Sequence, residues 1–114
     1  MKKCIRSFSH ALRGIHYAFT GRNFQIQTIV AVAIIDISLY FHITKIEWVL
    51  VLLAIGLVLS LEATNSALEE VCNKLHPDAH PHIALVKDLA AGAVLIASLT
   101  AIAIGVFIFS SYIF

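Results

Sequence analysis

Apolar side chains first recur at Ile5, Phe8, Leu12, Ile15 and Phe19, in steps of three, four, three and four. That rhythm is a single stripe on an α-helix. Arg6, His10, Arg13 and His16 lie off the stripe. Residues 5–20 are therefore predicted as a basic amphipathic helix, of the kind that lies flat in the lipid headgroup region. An ordinary helix packed on other helices has the same pattern, and the two readings are compatible.

The pattern then becomes continuously apolar. Residues 26–42 form a first spanning segment, interrupted only by Asp36, and residues 42–45 read as a short turn. The next apolar run, 48–61, has 14 residues, about 21 Å of helix. A bilayer core about 30 Å thick wants roughly 20 residues. The helical rhythm, however, continues through Glu62, Asn65 and Glu69 to Leu75. One long helix over 47–75 is the expectation, its first part in lipid and its last part emerging into a polar interface. Pro77 and Pro81 break the chain, and the 26 residues from 89 to 114 carry no charge. A third span is predicted over 86–111. The whole is read as a single all-α membrane domain over 1–114: one surface helix and three transmembrane helices. No internal repeat or low-complexity segment is visible.

Composition agrees. The chain is 60% hydrophobic and 13% charged, with a mean hydropathy of +0.90, against about 25% charged residues in a soluble domain. So short a chain cannot hide that much apolar surface from water. The net charge of +1 argues against nucleic acid as a partner. Its distribution says more, since five of the eight cations (Lys2, Lys3, Arg6, Arg13, Arg22) fall in the first 22 residues. Cations near helix ends favour the cytoplasm. The N-terminus and the 62–88 region, with Lys74 and Lys87, are expected inside; the 42–47 turn and the C-terminus are expected outside. Cys4 and Cys72 give no disulfide framework, and the basic start shows no cleavable leader.

The chemistry gathers on the second span. Glu62, Asn65, Glu69 and Asn73 are spaced three, four and four apart, within about 40–60° of one another on one helix face. Charged groups at a membrane boundary are costly unless paired, hydrated or bound to an ion. Two carboxylates on one face invite a cation, and Mg²⁺ takes one or two carboxylates completed by phosphates and water. A carboxylate with a free position beside it can accept a proton from an alcohol. Phosphoryl transfer asks for that combination. A solvated helix end, or the acid-lined pathway of a transporter or channel subunit, fits the same residues.

The stretch Glu62-Ala63-Thr64-Asn65-Ser66-Ala67-Leu68-Glu69 resembles the E-x-x-N-[TS]-A-[IL]-E signature of the small bacterial diacylglycerol kinase and undecaprenol kinase family. Lys87-Asp88-Leu89-Ala90-Ala91-Gly92-Ala93-Val94-Leu95 resembles its K-D-x-A-A-G-A-V-L stretch, Arg22-Asn23-Phe24 its R-N-F turn, and Glu47-Trp48 the start of its second span. The likeness covers nearly the whole chain, in order. It implies an ATP-dependent kinase acting on a lipid alcohol at the cytoplasmic face of the bacterial inner membrane, as a homotrimer with sites shared between protomers. By position, Glu62 would be the general base, and Glu69 would bind the Mg²⁺ carried by ATP. Asn65 would position the reacting groups, Lys87 would contact phosphate, and Asp88 would support the nucleotide site. His80 matches a histidine near the adenine region, and Asn23 and Phe24 belong to the lipid-facing, packing turn. Likeness to the undecaprenol branch puts undecaprenol first as substrate and diacylglycerol second. Three departures stand out. Gly21 occupies a position usually acidic, which would share the metal with Glu69; Asn73 stands where Asp is frequent; Gln25 replaces a frequent Arg. The first two remove negative charge from the implied metal and nucleotide region. A catalytically impaired relative with a structural or regulatory role is the alternative to an active kinase.

The remaining polar residues have plainer readings. His76, His80 and His82 form H-x₃-H-x-H, a weak signal for a metal, and loop histidines near nucleotide are the preferred reading. Asp36 is expected to face the bundle or the outer interface, because lipid exposure at the bilayer centre costs about 2.5–3.5 kcal/mol. Trp48, Tyr40 and Tyr112 read as interfacial anchors. Gly56, Ser60 and the run Ala90, Ala91, Gly92, Ala93 read as small residues for close helix contact.

Overall fold

A computed structural model describes residues 1–75 and 80–114. It contains α1 (Lys2–Ala18), α2 (Arg22–Phe41), α3 (Lys45–Leu75) and α4 (Pro81–Ile113), with no strand among the described residues. Three helices, α2 to α4, are long and apolar enough to cross a membrane. The fold is that of an all-α membrane protein with three spans. The axis of the bundle runs along α3 and α4, and α4 alone, with 33 residues, is about 50 Å long.

Each boundary has a local cause. α1 ends in a turn closed by the Thr20 hydroxyl on the Tyr17 carbonyl (2.6 Å) and by the Gln25 side-chain amide on the Phe19 carbonyl (2.6 Å). Phe19 meets Phe24 edge to face at 4.9 Å, which fixes the angle between α1 and α2. Gly21 caps α2 with φ −81° and ψ 136°, a conformation open to any residue.

α2 ends on His42, whose φ of 53° and ψ of 53° are left-handed. The His42 amide donates to Leu39 and the Ile43 amide to Ser38. This pair of bonds is a Schellman closure, a motif that usually employs glycine. Two residues on, the Thr44 hydroxyl accepts from the Glu47 amide (3.2 Å), and the Glu47 carboxylate accepts from the Thr44 amide (2.9 Å). That reciprocal capping box starts α3. At the other end of the bundle His80 caps α4 by accepting from the His82 amide (3.2 Å). Pro81 is the first helical residue of α4. Here proline opens a helix instead of interrupting one, because its missing N–H has no partner to lose.

α3 is the central element. α4 packs along it most extensively, α2 packs on it less, and α1 touches it lightly. The buried core sits at the end carrying the α2–α3 turn, where Ile43, Val51, Ile108 and Phe109 cluster against Phe41, Trp48 and Tyr112. The Tyr112 hydroxyl donates to Glu47, joining the last turn of α4 to the first of α3. Elsewhere the long helices present Leu, Ile and Val outwards, as lipid-facing surfaces do. Asp36 is exposed within the protomer and lies five residues before the end of α2, about 7.5 Å along the axis. Gly56 and Gly92 have no atom within 4 Å of where a Cβ would stand, so no close helix contact inside the protomer requires them.

Candidate functional site

The polar strip lies on the half of α3 remote from the core cluster. Glu62 is 4% exposed and Asn65 7% exposed, whereas Glu69 and Asn73, one and two turns further on, are exposed. Helical spacing carries the face from the packed part of the bundle to the open end, so burial falls along it. The Asn65 amide nitrogen donates to the Glu69 carboxylate at 3.2 Å. This bond fixes the orientation of the amide, because the reverse would set two acceptors against each other. The Asn65 carbonyl oxygen is then buried with no partner. No hydrogen bond or ion pair holds Glu62 among the described residues. A buried glutamate without a partner and an orphaned amide oxygen three residues apart present two acceptors to an incoming donor such as an alcohol hydroxyl.

The second half of the site comes from α4. The Lys87 ammonium, on a half-buried residue, donates to the Asn73 side-chain oxygen at 2.8 Å. A neutral amide holds the lysine in place without cancelling its charge. Asp88 is exposed beside it. His80 serves as the α4 cap. His76 and Pro77, the other members of this loop weighed from the sequence, lie outside the described residues. The structure therefore brings Glu62, Asn65 and Glu69 together, and links Lys87 to the same helix face through Asn73.

Asn23 and Phe24 are placed elsewhere, at the α1–α2 corner. Asn23 is exposed, and Phe24 is buried and lines a cleft of about 920 Å³ between α1, α2 and α3. Glu70 lines that cleft too, and its carboxylate accepts from the Tyr17 hydroxyl at 3.5 Å. It points away from the strip, since adjacent helical residues diverge by about 100°. The sequence reading passed over two links, Lys87–Asn73 and Tyr17–Glu70. Each joins residues on different helices, and helical spacing carries no signal for either.

Mg²⁺ is the metal implied by the resemblance. Among the described residues no three His, Cys, Asp or Glu side chains converge, so a closed protein cage is absent there. Glu69 offers an exposed carboxylate with one oxygen uncommitted to Asn65. Hard oxygen donors of this number suit Mg²⁺ held jointly with phosphates and water, and the residues present fit a metal that arrives with its nucleotide.

The family described as prokaryotic diacylglycerol kinase matches residues 9–109. An undecaprenol kinase of Bacillus subtilis is 36% identical over 110 residues, covering 96% of this chain and 89% of that protein. A diacylglycerol kinase of Synechocystis sp. is 40% identical over 101 residues, covering 87% of this chain and 58% of its own length. A diacylglycerol kinase of Haemophilus influenzae is 31% identical over 94 residues, covering 82% and 80% respectively.

Proposed function

The chain belongs to the prokaryotic diacylglycerol kinase family, and from that premise we propose that it transfers the γ-phosphoryl group of ATP to a membrane lipid alcohol. Undecaprenol is the first candidate acceptor and diacylglycerol the second. The observation that carries the reading is the placement of buried, unpartnered Glu62 beside the unpartnered carbonyl of Asn65 on the face that also holds Glu69.

The lipid hydroxyl donates to Glu62, with the Asn65 side chain beside it positioning the reacting groups. Glu62 takes the hydroxyl proton as the oxygen attacks the γ-phosphorus, and the bond to the ADP oxygen breaks. Lys87, steadied by Asn73, balances phosphate charge, with Asp88 and His80 at the nucleotide end. Bound Mg²⁺ supplies charge neutralisation at the phosphate oxygens, and Glu69 is the side chain that would hold it. The acceptor's tail lies in lipid, which suits an enzyme whose acid-bearing face begins where the apolar part of α3 stops.

The same reading places α1 on the cytoplasmic surface of the inner membrane, the strip on that side, and three protomers in a trimer sharing sites. A native mass of the protein in detergent or nanodiscs tests the trimer. The activity is tested by radiolabel transfer from ATP with purified protein, Mg²⁺ and each lipid in parallel. Transfer to either acceptor supports a kinase. Failure with both, alongside normal nucleotide binding, would favour a catalytically impaired relative, a reading that Gly21 and Asn73 motivate. ATP-independent flux in vesicles would point to a transporter subunit.

A further inference from the structure

Residues 1–35 contain five cations and no acid. On α1, at 100° per residue, Lys2, Arg13, Arg6 and Lys3 fall within an arc of about 100°. Ile15, Phe8, Leu12 and Ile5 occupy an arc of about 80° on the far side. Between the two arcs lie Ala11, Gly14 and Ala18, small residues that face the cleft with α3. α1 therefore rests on the bundle by its narrow side, through Ala18 and the Tyr17–Glu70 bond. Ile15 and Tyr17, at the cleft, are the parts of the broad faces that meet the bundle; the rest of both faces stays uncovered. Ile5 is 65% and Phe8 67% exposed, and all four cations are exposed without an ion pair among the described residues.

The occupant must satisfy both faces at once. An acidic soluble partner would match the cations and leave the apolar arc in water. A neutral bilayer would cover the apolar arc and leave the charge unmatched. We propose that α1 is a binding surface for anionic phospholipid headgroups, gathering them around the mouth of the α1–α2–α3 cleft. The apolar arc sinks below the headgroups while the lysine and arginine stems carry their charges up to the phosphates. Each cation near an anionic leaflet contributes a factor of about five. This assignment concerns the membrane around the protein and stands independently of the kinase reading.

The test uses the full chain in bilayers. The single tryptophan is moved to α1 by Phe8→Trp in a Trp48→Phe background. Its fluorescence is read in mixtures of phosphatidylcholine and phosphatidylglycerol in which only one lipid is brominated. Brominated phosphatidylglycerol should quench several-fold more effectively than brominated phosphatidylcholine at equal mole fraction. The preference should collapse towards unity at about 1 M salt, where screening reaches about 3 Å. It should collapse likewise in Lys2→Gln/Lys3→Gln/Arg6→Gln/Arg13→Gln and persist in Arg6→Lys/Arg13→Lys. Quenching of Trp48 in the otherwise native chain, unchanged by the glutamines, shows the spanning bundle intact. Equal quenching by both lipids, a preference that survives the glutamines, or no quenching by either lipid overturns the proposal.

Discussion

Glu62 is largely covered by its neighbours and holds no hydrogen-bond or ion-pair partner among the described residues, which leaves its carboxylate open to a proton from a ligand. Glu62→Gln keeps the shape of the side chain and removes its ability to take a proton. Phosphoryl transfer should fall by about 10²–10⁴-fold, while nucleotide affinity, measured by calorimetry, stays near the native value. A loss of nucleotide binding of the same size would remove Glu62 from the role of base. Glu69 and Gly21 form a second residue-level test. Glu69→Gln should raise the Mg²⁺ concentration needed for half-maximal transfer. Gly21→Glu should lower it. The backbone at Gly21 accepts any side chain, and an added Cβ would stand 3.4 Å from the Ala18 carbonyl, an ordinary contact. An unchanged Mg²⁺ dependence in both variants would sink the metal assignment of Glu69.

At the level of elements, the turn between α2 and α3 is secured by backbone closure on one side and a capping box on the other. Thr44→Ala should cost about 1 kcal/mol, seen as a lower thermal midpoint in detergent. His42 in its left-handed conformation predicts an order: His42→Gly should be tolerated and His42→Val should destabilise, since a β-branched residue is strained at positive φ. An equal loss in both variants would show that the ring's contact with the Tyr40 carbonyl, which both delete, outweighs the backbone. These local devices also show how far the sequence was legible. The three spans were readable because lipid-facing helices are apolar all round. The continuity of α3 through Glu62 and Glu69 was readable because the three- and four-residue steps do not stop. T-x-x-E at Thr44 and Glu47 was a visible signal for the start of α3, yet it fell at an apolar boundary where hydropathy dominates. A left-handed histidine leaves no compositional trace. The bond between Tyr112 and Glu47 spans 65 positions, beyond any periodic pattern. At the site, the shared face of Glu62, Asn65 and Glu69 followed from spacing alone. Their unequal burial did not, because it depends on where the bundle stops covering α3.

Across the whole molecule, three spans put the two ends of the chain on opposite sides of the membrane. Cys4 is exposed and Cys72 buried, so the natural thiols make a topology probe. An impermeant maleimide should label the protein in inverted vesicles and not in intact cells, and Cys4→Ser should abolish the signal. Labelling in intact cells would reverse the orientation. The packing is uneven along the bundle: the buried cluster and the Tyr112–Glu47 link lie at one end, and the polar strip lies towards the other. At that other end α3 and α4 are also tied, by the five residues of chain between Leu75 and Pro81 and by the Lys87–Asn73 bond. The two helices are thus fastened at both ends, which resists splaying them apart. Access to the strip is left to side chains such as Lys87 and to the side facing α1, where the packing on α3 is lightest.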